Sequence, residues 1–329
     1  DRPISIRALK RFACEQAGPE ARPTAEVLEA VQSYIPSVAA NAEEIAALLH
    51  SCMNGRIAKA DGERIAIIGA GPAGLSAAHD LALLGFAPVV FEIEPVAAGM
   101  LAVGVPAYRL PRELIQKEIA VIQALGVEIR CGVTIGKDIS FADLRRDFAA
   151  VLIAVGAKAS RALGLPGENG PRVFGGVDLL RSVSLGDSLG ERLDIGSNVV
   201  VIGGGNVAYD VARSVVRQIA YDTARTAARL AGTARVHLVS LESLEEMPAD
   251  TVEIMEGDEE GIERHNGWGP VEILRDGEGK VTGVRFRKCT RVYDADRKFS
   301  PQYDDQITEV ILCDTVLLSV GQSPALKFL

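Results

Sequence analysis

Apolar positions along the chain fall into two textures. Residues 1–60 carry helical spacing and no strand signal. Ser5 is placed to cap a helix with Ile6, Leu9 and Phe12 on one face and Arg7, Lys10 and Arg11 elsewhere. Thr24 and Asn41 open two more helices, Asn41 forming a capping box with Glu44 ahead of Ile45, Leu48 and Leu49. From residue 61 the pattern changes. Arg64 to Ile68 is a β-branched run stopped by Gly69, Pro72 to Leu84 reads as a helix ended by Gly85, and Pro88 to Phe91 is a second strand. Strand, glycine turn, helix and strand make a βαβ unit. Val127 to Arg130 and Ala150 to Val155 predict further strands. The pattern restarts with a strand at Asn198 to Ile202, a turn at Gly203 to Gly205, a helix from Asn206 to about Leu230 and a strand at Arg235 to Ser240. Alternation at Val281, Val284 and Phe286 predicts an exposed antiparallel sheet, and Val310 to Ser319 predicts a last strand. The two glycine turns lie 134 positions apart, too far for a solenoid repeat. They predict two nucleotide-binding domains.

The first turn reads Gly69-Ala70-Gly71-Pro72-Ala73-Gly74. Gly69 allows a tight turn off the strand, Gly71 lets a pyrophosphate approach the backbone, and Gly74 lets the helix pack close to the sheet. The helix start at Pro72 and Ala73 offers unpaired amides to phosphate oxygens. Glu92 ends the second strand, where a carboxylate accepts hydrogen bonds from an adenosine ribose.

The second turn reads Gly203-Gly204-Gly205-Asn206-Val207-Ala208, with Ala in the permitted third position. Glu242 follows the next strand, 39 positions after Gly203, the extra length falling in the helix, whose polar tail runs from Asp222 to Arg229. A carboxylate there accepts from the 2′-hydroxyl of NAD and repels the 2′-phosphate of NADP, by about 1 to 4 kcal/mol at 4 Å. No Arg or Lys lies nearby, so NAD(H) is expected, although Ala208 leans mildly toward NADP. One fold holding FAD and the other presenting NADH need no side-chain acid or base, and no catalytic residue is assigned.

The rest of the sequence narrows the class. With 329 residues, 48% hydrophobic and 24% charged, the chain reads as globular. Its net charge of −9 argues against nucleic acid. Residues 241–260 hold nine acids and no base, so that one segment carries the whole excess; beyond Glu242 it reads mostly as a solvated helix face. No apolar run reaches the length of a membrane helix, and no secretion leader is visible. A cytoplasmic location is expected. Cys14, Cys52, Cys131, Cys289 and Cys313 are at least 24 positions apart. They predict reduced thiols, with no disulfide-reductase pair, no zinc site and no sequence-local cluster. His50, His79, His237 and His265 look dispersed and structural, and no metal ligands are assigned.

Further motifs carry a resemblance. The opening Asp1 to Phe12 looks like a linker after a cysteine-rich segment. Gly99-Met100-Leu101, Gly104-Val105-Pro106 and Arg109-Leu110-Pro111 resemble a flavin-side loop, with Ala98 where two glycines are usual. Ala154-Val155-Gly156, Leu165-Pro166-Gly167 and Val320-Gly321 resemble interdomain crossovers. Together with both glycine turns, these make the chain similar to the small subunit of glutamate synthase and related FAD- and NAD(P)H-dependent electron-transfer subunits. Many members carry Tyr-Arg-Arg before a Met-Pro pair, and those arginines hold the NADP phosphate. Here Met247-Pro248 follows Ser240, Leu241 and Glu242.

The resemblance implies an α/β fold of two Rossmann-like dinucleotide-binding domains, the NAD domain inserted in the FAD domain, behind an N-terminal helical segment. The expected divisions are 1–60 for that segment, 61–160 for FAD, 161–318 for NAD and 319–329 for the return to the FAD domain. Both ends look cut. The first residue is not Met, the family's cysteines would precede Asp1, and its flavin site is completed beyond Leu329. Iron–sulfur clusters would then belong to a missing segment or to partner chains. The expected role is electron transfer between NAD(H) and FAD, with iron–sulfur and catalytic subunits of a larger oxidoreductase as partners. Glu242 favours an NADH-forming subunit of a 2-oxoacid:acceptor oxidoreductase such as phenylglyoxylate dehydrogenase. Alternatives are a glutamate synthase small subunit using NAD(P)H, a non-catalytic flavin-fold module, and a stand-alone NADH-dependent flavin oxidase.

Overall fold

A computed structural model describes residues 6–17, 21–27, 29, 62–189, 193–226 and 235–328. The Asn41 capping box and the helix tail after Thr226 lie outside these residues. Helix α1 (Ile6–Ala17) forms as predicted, but Leu9 and Phe12 on its apolar face are exposed among the described residues. Residues 24–27 are also helical. The chain divides into two compact units. One comprises Asp1–Ala102, Ala107–Gly156 and Ala325–Leu329, the other Val103–Pro106 and Ala157–Pro324.

The first unit is built on a parallel sheet of order β3-β2-β1-β4, with β1 (Arg64–Ile68), β2 (Ala87–Glu92), β3 (Glu128–Cys131) and β4 (Ala150–Ile153). Every residue of β1 after Arg64 is buried. A parallel strand covered on both faces reads as a continuous apolar run, which is why its sequence signal was clear. Helix α2 (Pro72–Leu83) follows β1 and buries Gly74, Leu75 and Ala78. Proline at its first position is pre-set for the helix and lacks an amide that would be orphaned there anyway. Helices α3 (Arg112–Ala124) and α4 (Phe141–Asp147) complete the unit. Ser140 caps α4 by accepting the Asp143 amide at 3.0 Å. On one face Ala66, Ile68, Val89, Phe91, Ile135 and Leu144 form the core, and Phe91 meets Phe148 edge-on at 5.9 Å.

The second unit has three layers. Its parallel sheet runs β6-β13-β7-β8-β9, with β6 (Val173–Gly175), β7 (Asn198–Ile202), β8 (Arg235–Ser240), β9 (Glu263–Asn266) and β13 (Thr315–Leu318). Helices α5 (Gly176–Leu189) and α6 (Asn206–Thr226) belong to the layer on one face, and Val199, Val201, Ala208, Val211, Leu238 and Leu317 fill that core. The other face packs on an antiparallel sheet of β10 (Trp268–Arg275), β11 (Val281–Tyr293) and β12 (Phe299–Leu312), through Val200, Ile202, Val239, Val284, Phe286 and Ile311. The alternating residues of the 280s thus point inward, against the parallel sheet. A short pair of β5 (Ala159–Ser160) and β14 (Gln322–Ser323) joins the unit's ends.

The run Val310 to Ser319 is two strands, not the single one expected. The chain breaks at Asp314, whose carboxylate accepts the Ser197 and Asn198 amides, each at 3.1 Å. The Thr315 hydroxyl donates to Asp314 at 2.9 Å and accepts the Gly196 amide at 2.9 Å. This polar clasp ends β12 and turns β13 in beside β7.

Candidate functional site

In the first unit the glycine turn is held from several sides. The Gly69 amide donates to the Phe91 carbonyl at 2.8 Å, and Gly69 has φ +108, with no room for a β-carbon beside the Ala154 carbonyl. A β-carbon on Gly74 would collide with the Gly69 carbonyl oxygen, so the helix packs as closely as only glycine permits. Gly71 differs: its φ is −73 and a β-carbon there would meet nothing within 4 Å. That open space faces the start of α2, which no side chain caps. Pro72 and Ala73 are exposed at that start. Orphan amides beside open backbone are what a pyrophosphate needs.

Glu92 is 2% exposed. One carboxylate oxygen accepts the Ala70 amide at 2.8 Å and the other accepts the Glu94 amide at 3.0 Å. The carboxylate thus braces the turn, and it carries the acceptor chemistry that a ribose hydroxyl needs. Gly99, at φ +53, packs so closely that a β-carbon would come within 2.8 Å of the Gly71 α-carbon. Met100 and Leu101 follow in one helical turn, Met100–Val103, and Arg112 donates to the Leu101 carbonyl at 2.7 Å. The Arg109 guanidinium lies 5.7 Å from the Tyr108 ring centre. Gly156, at φ +63, follows β4 in the same unit. The structure therefore brings Gly69, Gly71, Gly74, Glu92 and Gly99 together. These residues fit a dinucleotide: an uncapped helix start, a cradle that a β-carbon would fill, and a buried carboxylate.

The second unit repeats the device. The Gly203 amide donates to the Val239 carbonyl at 2.9 Å, and the Ala208 amide to the Gly205 carbonyl at 2.9 Å. Ala208 is fully buried, and a β-carbon on Gly205 would meet nothing within 4 Å. Asn206 and Val207 are exposed at the turn. Asn206 also accepts the Asp250 amide at 2.7 Å, which ties the turn to the N-terminus of helix α7 (Thr251–Glu259). Gly321, at φ +111, accepts the Arg161 amide at 3.1 Å, two residues after Ser319, whose carbonyl lies against Gly203.

Glu242 reaches the turn. A β-carbon on Gly204 would fall 2.6 Å from its Oε2. Burial, with Glu246 nearby, pushes its carboxyl above the usual carboxylate range. Its backbone carbonyl accepts the Ser240 hydroxyl at 3.0 Å and the Gly267 amide at 3.0 Å, and Asn266 donates to the same hydroxyl at 2.9 Å. Sequence reasoning missed Asn266 and Gly267. They carry no motif and approach Glu242 only because β9 pairs with β8.

Two expectations are corrected here. The acids after Glu242 are only in part a solvated face: Glu245, Glu246, Asp258 and Glu259 are exposed. Glu253, Glu256 and Glu260 converge on Arg213 of α6, whose side chain is 5% exposed, and Arg264 pairs with Asp258 at 2.6 Å. A cation buried on the facing helix draws the carboxylates inward. Nor are all the histidines dispersed: His237 and His265 touch, with a ring nitrogen of each 3.1 Å apart. The four described cysteines, Cys14, Cys131, Cys289 and Cys313, are all free thiols. Among the described residues, no helix is long and apolar enough to cross a membrane.

Residues 63–329 match the pyridine nucleotide-disulphide oxidoreductase family. The chain is 36% identical over 342 aligned positions to the beta subunit of the NADP(+)-dependent formate dehydrogenase of Moorella thermoacetica, covering 100% of this chain and 43% of that subunit. It is 32% identical to the small chain of the glutamate synthase [NADPH] of Halomonas elongata, covering 80% of this chain and 54% of that one. The chain thus spans about half the length of these relatives. Among solved structures it is similar to Mycobacterium tuberculosis FprA in complex with NADPH, with a TM-score of 0.67, 21% identity and coverage of 79% and 71%.

Proposed function

Because the chain belongs to the pyridine nucleotide-disulphide oxidoreductase family, we propose that it is the flavin- and nicotinamide-binding part of an electron-transfer subunit. In this reading the first unit holds FAD, the second holds the pyridine nucleotide, and the partners are iron–sulfur and catalytic subunits of a larger oxidoreductase. The observation that carries it is the repeated device, a glycine turn with a carboxylate from the following strand end set against it, Glu92 in one unit and Glu242 in the other.

Bound nicotinamide and flavin supply hydride chemistry, an electron pair that a flavin can pass on singly to iron–sulfur clusters. The chain's own residues bind and orient. Gly71, Pro72 and Ala73 present open backbone to the FAD pyrophosphate, Glu92 accepts from its ribose, and Gly99 packs against that turn at the head of the segment that carries Met100, Leu101 and Arg109. Gly203, Gly205, Asn206, Val207 and Ala208 do the same for the second dinucleotide. The four described cysteines are free and scattered, which favours an acceptor other than a disulfide.

The finer reading concerns the nucleotide. Glu242 stands at the position that meets the 2′ group, and its charge favours NAD over NADP. The two curated relatives named above carry NADP(+) or NADPH in their names, so this chain would differ from them at that residue. An NADH-forming role beside a 2-oxoacid oxidoreductase, of the phenylglyoxylate dehydrogenase kind, rests on the same carboxylate. The test is rapid mixing of the FAD-loaded protein with NADH or NADPH, reading loss of flavin absorbance. Fast bleaching with NADH and slow bleaching with NADPH is expected. Equal rates would remove the NAD preference, and no bleaching with either would leave a non-catalytic module.

A further inference from the structure

One cluster in the second unit takes no part in the nucleotide chemistry. Strands β8 and β9 run parallel, with His237 opposite Glu263 and Val239 opposite His265. His237 and His265 therefore fall on neighbouring strands within one step of the pleat. Nδ1 of His237 lies 3.1 Å from Nε2 of His265 and 3.3 Å from a carboxylate oxygen of Glu263. The three atoms all lie within 4.8 Å of one another. Two donors bound at about 2.1 Å to one metal ion stand about 3.0 Å apart at right angles and about 3.4 Å apart in a tetrahedron. Both measured contacts fall between those limits.

The surroundings suit an ion with open positions. His237 is 8% exposed, which removes competing water from one ligand, while Glu263 remains half in solvent. The histidines line a cavity of about 590 Å³ shared with Arg235, Glu309 and Cys313. Asn198 and Asp314 also line it, at the starts of β7 and β13. The cavity therefore opens at the opposite end of the sheet from the Gly203 turn and is separate from the nucleotide site. The charges of Arg235 and Glu309 oppose each other there.

We infer that His237, Glu263 and His265 form a binding site for a divalent first-row transition cation, with Zn²⁺ the best match to two imidazoles and one carboxylate. Imidazole donors exclude Ca²⁺ and Mg²⁺, which take oxygen. Water from the cavity fills the remaining positions. The ion would clamp β9, the edge strand of its sheet, to β8, which also holds the Asn266 and Gly267 contacts to Ser240 and Glu242 in place.

The experiment is titration of the chelator-treated full chain with Co²⁺ and then Zn²⁺, with Ca²⁺ as control. One equivalent of Co²⁺ should bind with visible absorption and without thiolate charge-transfer bands, Zn²⁺ should displace it, and Zn²⁺ should raise the unfolding midpoint while Ca²⁺ leaves it unchanged. His265→Gln and Glu263→Gln should each weaken binding at least tenfold, with circular dichroism checking the fold. Absence of saturable Co²⁺ binding overturns the site and leaves a hydrogen-bonded His–His–Glu network. So does unchanged affinity in either variant, or a thiolate spectrum, which would place the ion on exposed cysteines such as Cys14. Should His265→Gln misfold, the half-exposed Glu263→Gln still decides.

Discussion

The Ala98 amide donates to the Ala70 carbonyl at 2.8 Å, and in making that bond Ala98 is held at φ +88, buried beside Gly99. The left-handed region costs an L residue about 1 to 2 kcal/mol, whereas glycine enters it freely. Ala98→Gly should therefore stabilise the protein, by about 0.5 to 1 kcal/mol after the greater freedom of the unfolded glycine is subtracted. Urea unfolding would measure it as a higher midpoint at unchanged slope.

Two of the three glycines of the first turn separate ligand approach from packing. At Gly71 a methyl meets open space at an ordinary φ, so Gly71→Ala should leave stability within about 0.5 kcal/mol yet weaken FAD binding at least tenfold. At Gly74 the methyl meets backbone, so Gly74→Ala should unfold more readily with or without flavin. Flavin titration beside thermal unfolding distinguishes them.

Glu242 carries a pH signature. Its raised carboxyl means that the folded state holds the proton more tightly than the unfolded chain does. Its contribution to stability is therefore greatest below the ordinary carboxylate range and is lost as pH rises through the raised value. In its ionised form it opposes a 2′-phosphate. Lowering the pH neutralises it, so the NADH to NADPH ratio of kcat/KM should fall toward the acid end. Glu242→Gln should flatten that dependence more than the phosphate's own titration does, and Glu242→Arg should shift the ratio about tenfold or more toward NADPH.

Arg213 and Glu253 test the buried charges. Both side chains are nearly inaccessible, and removing one partner of such a pair costs about 3 to 5 kcal/mol because the other charge is stranded. Arg213→Leu should approach that loss. Adding Glu253→Leu should recover part of it, which a double-mutant cycle on unfolding free energies would read.

How legible the molecule was depended on how local each signal is. Ile65 to Ile68 and Val199 to Ile202 announced their strands because both faces are covered. The turns announced themselves because Gly69, Gly74 and Gly203 answer nearby steric demands, while Gly71 and Gly205 leave open backbone at the helix starts. The His237–His265 contact joins residues 28 positions apart that only strand pairing brings together. Arg213 looked like any helical arginine, and its partners lie 40 to 47 positions away. The break at Asp314 depended on amides at Ser197 and Asn198, more than 110 positions earlier. In the candidate site, Glu92 and Glu242 were readable from position, whereas the support of Glu242 by Asn266 and Gly267 was not.

Strand β13 has a consequence for how the chain reaches this state. It lies between β6 and β7, yet leaves the ribosome after every other strand of that sheet. Until Thr315 to Leu318 emerge, the inner edge of β7, with Val199, Val200 and Val201, has no neighbour on that side. The nucleotide half is thus a late-closing structure with a high share of sequence-distant pairings, which slows folding and exposes an apolar edge during synthesis. Nascent chains stalled before residue 315 should be captured by holdase chaperones, and those stalled far enough beyond 318 for β13 to emerge should be released.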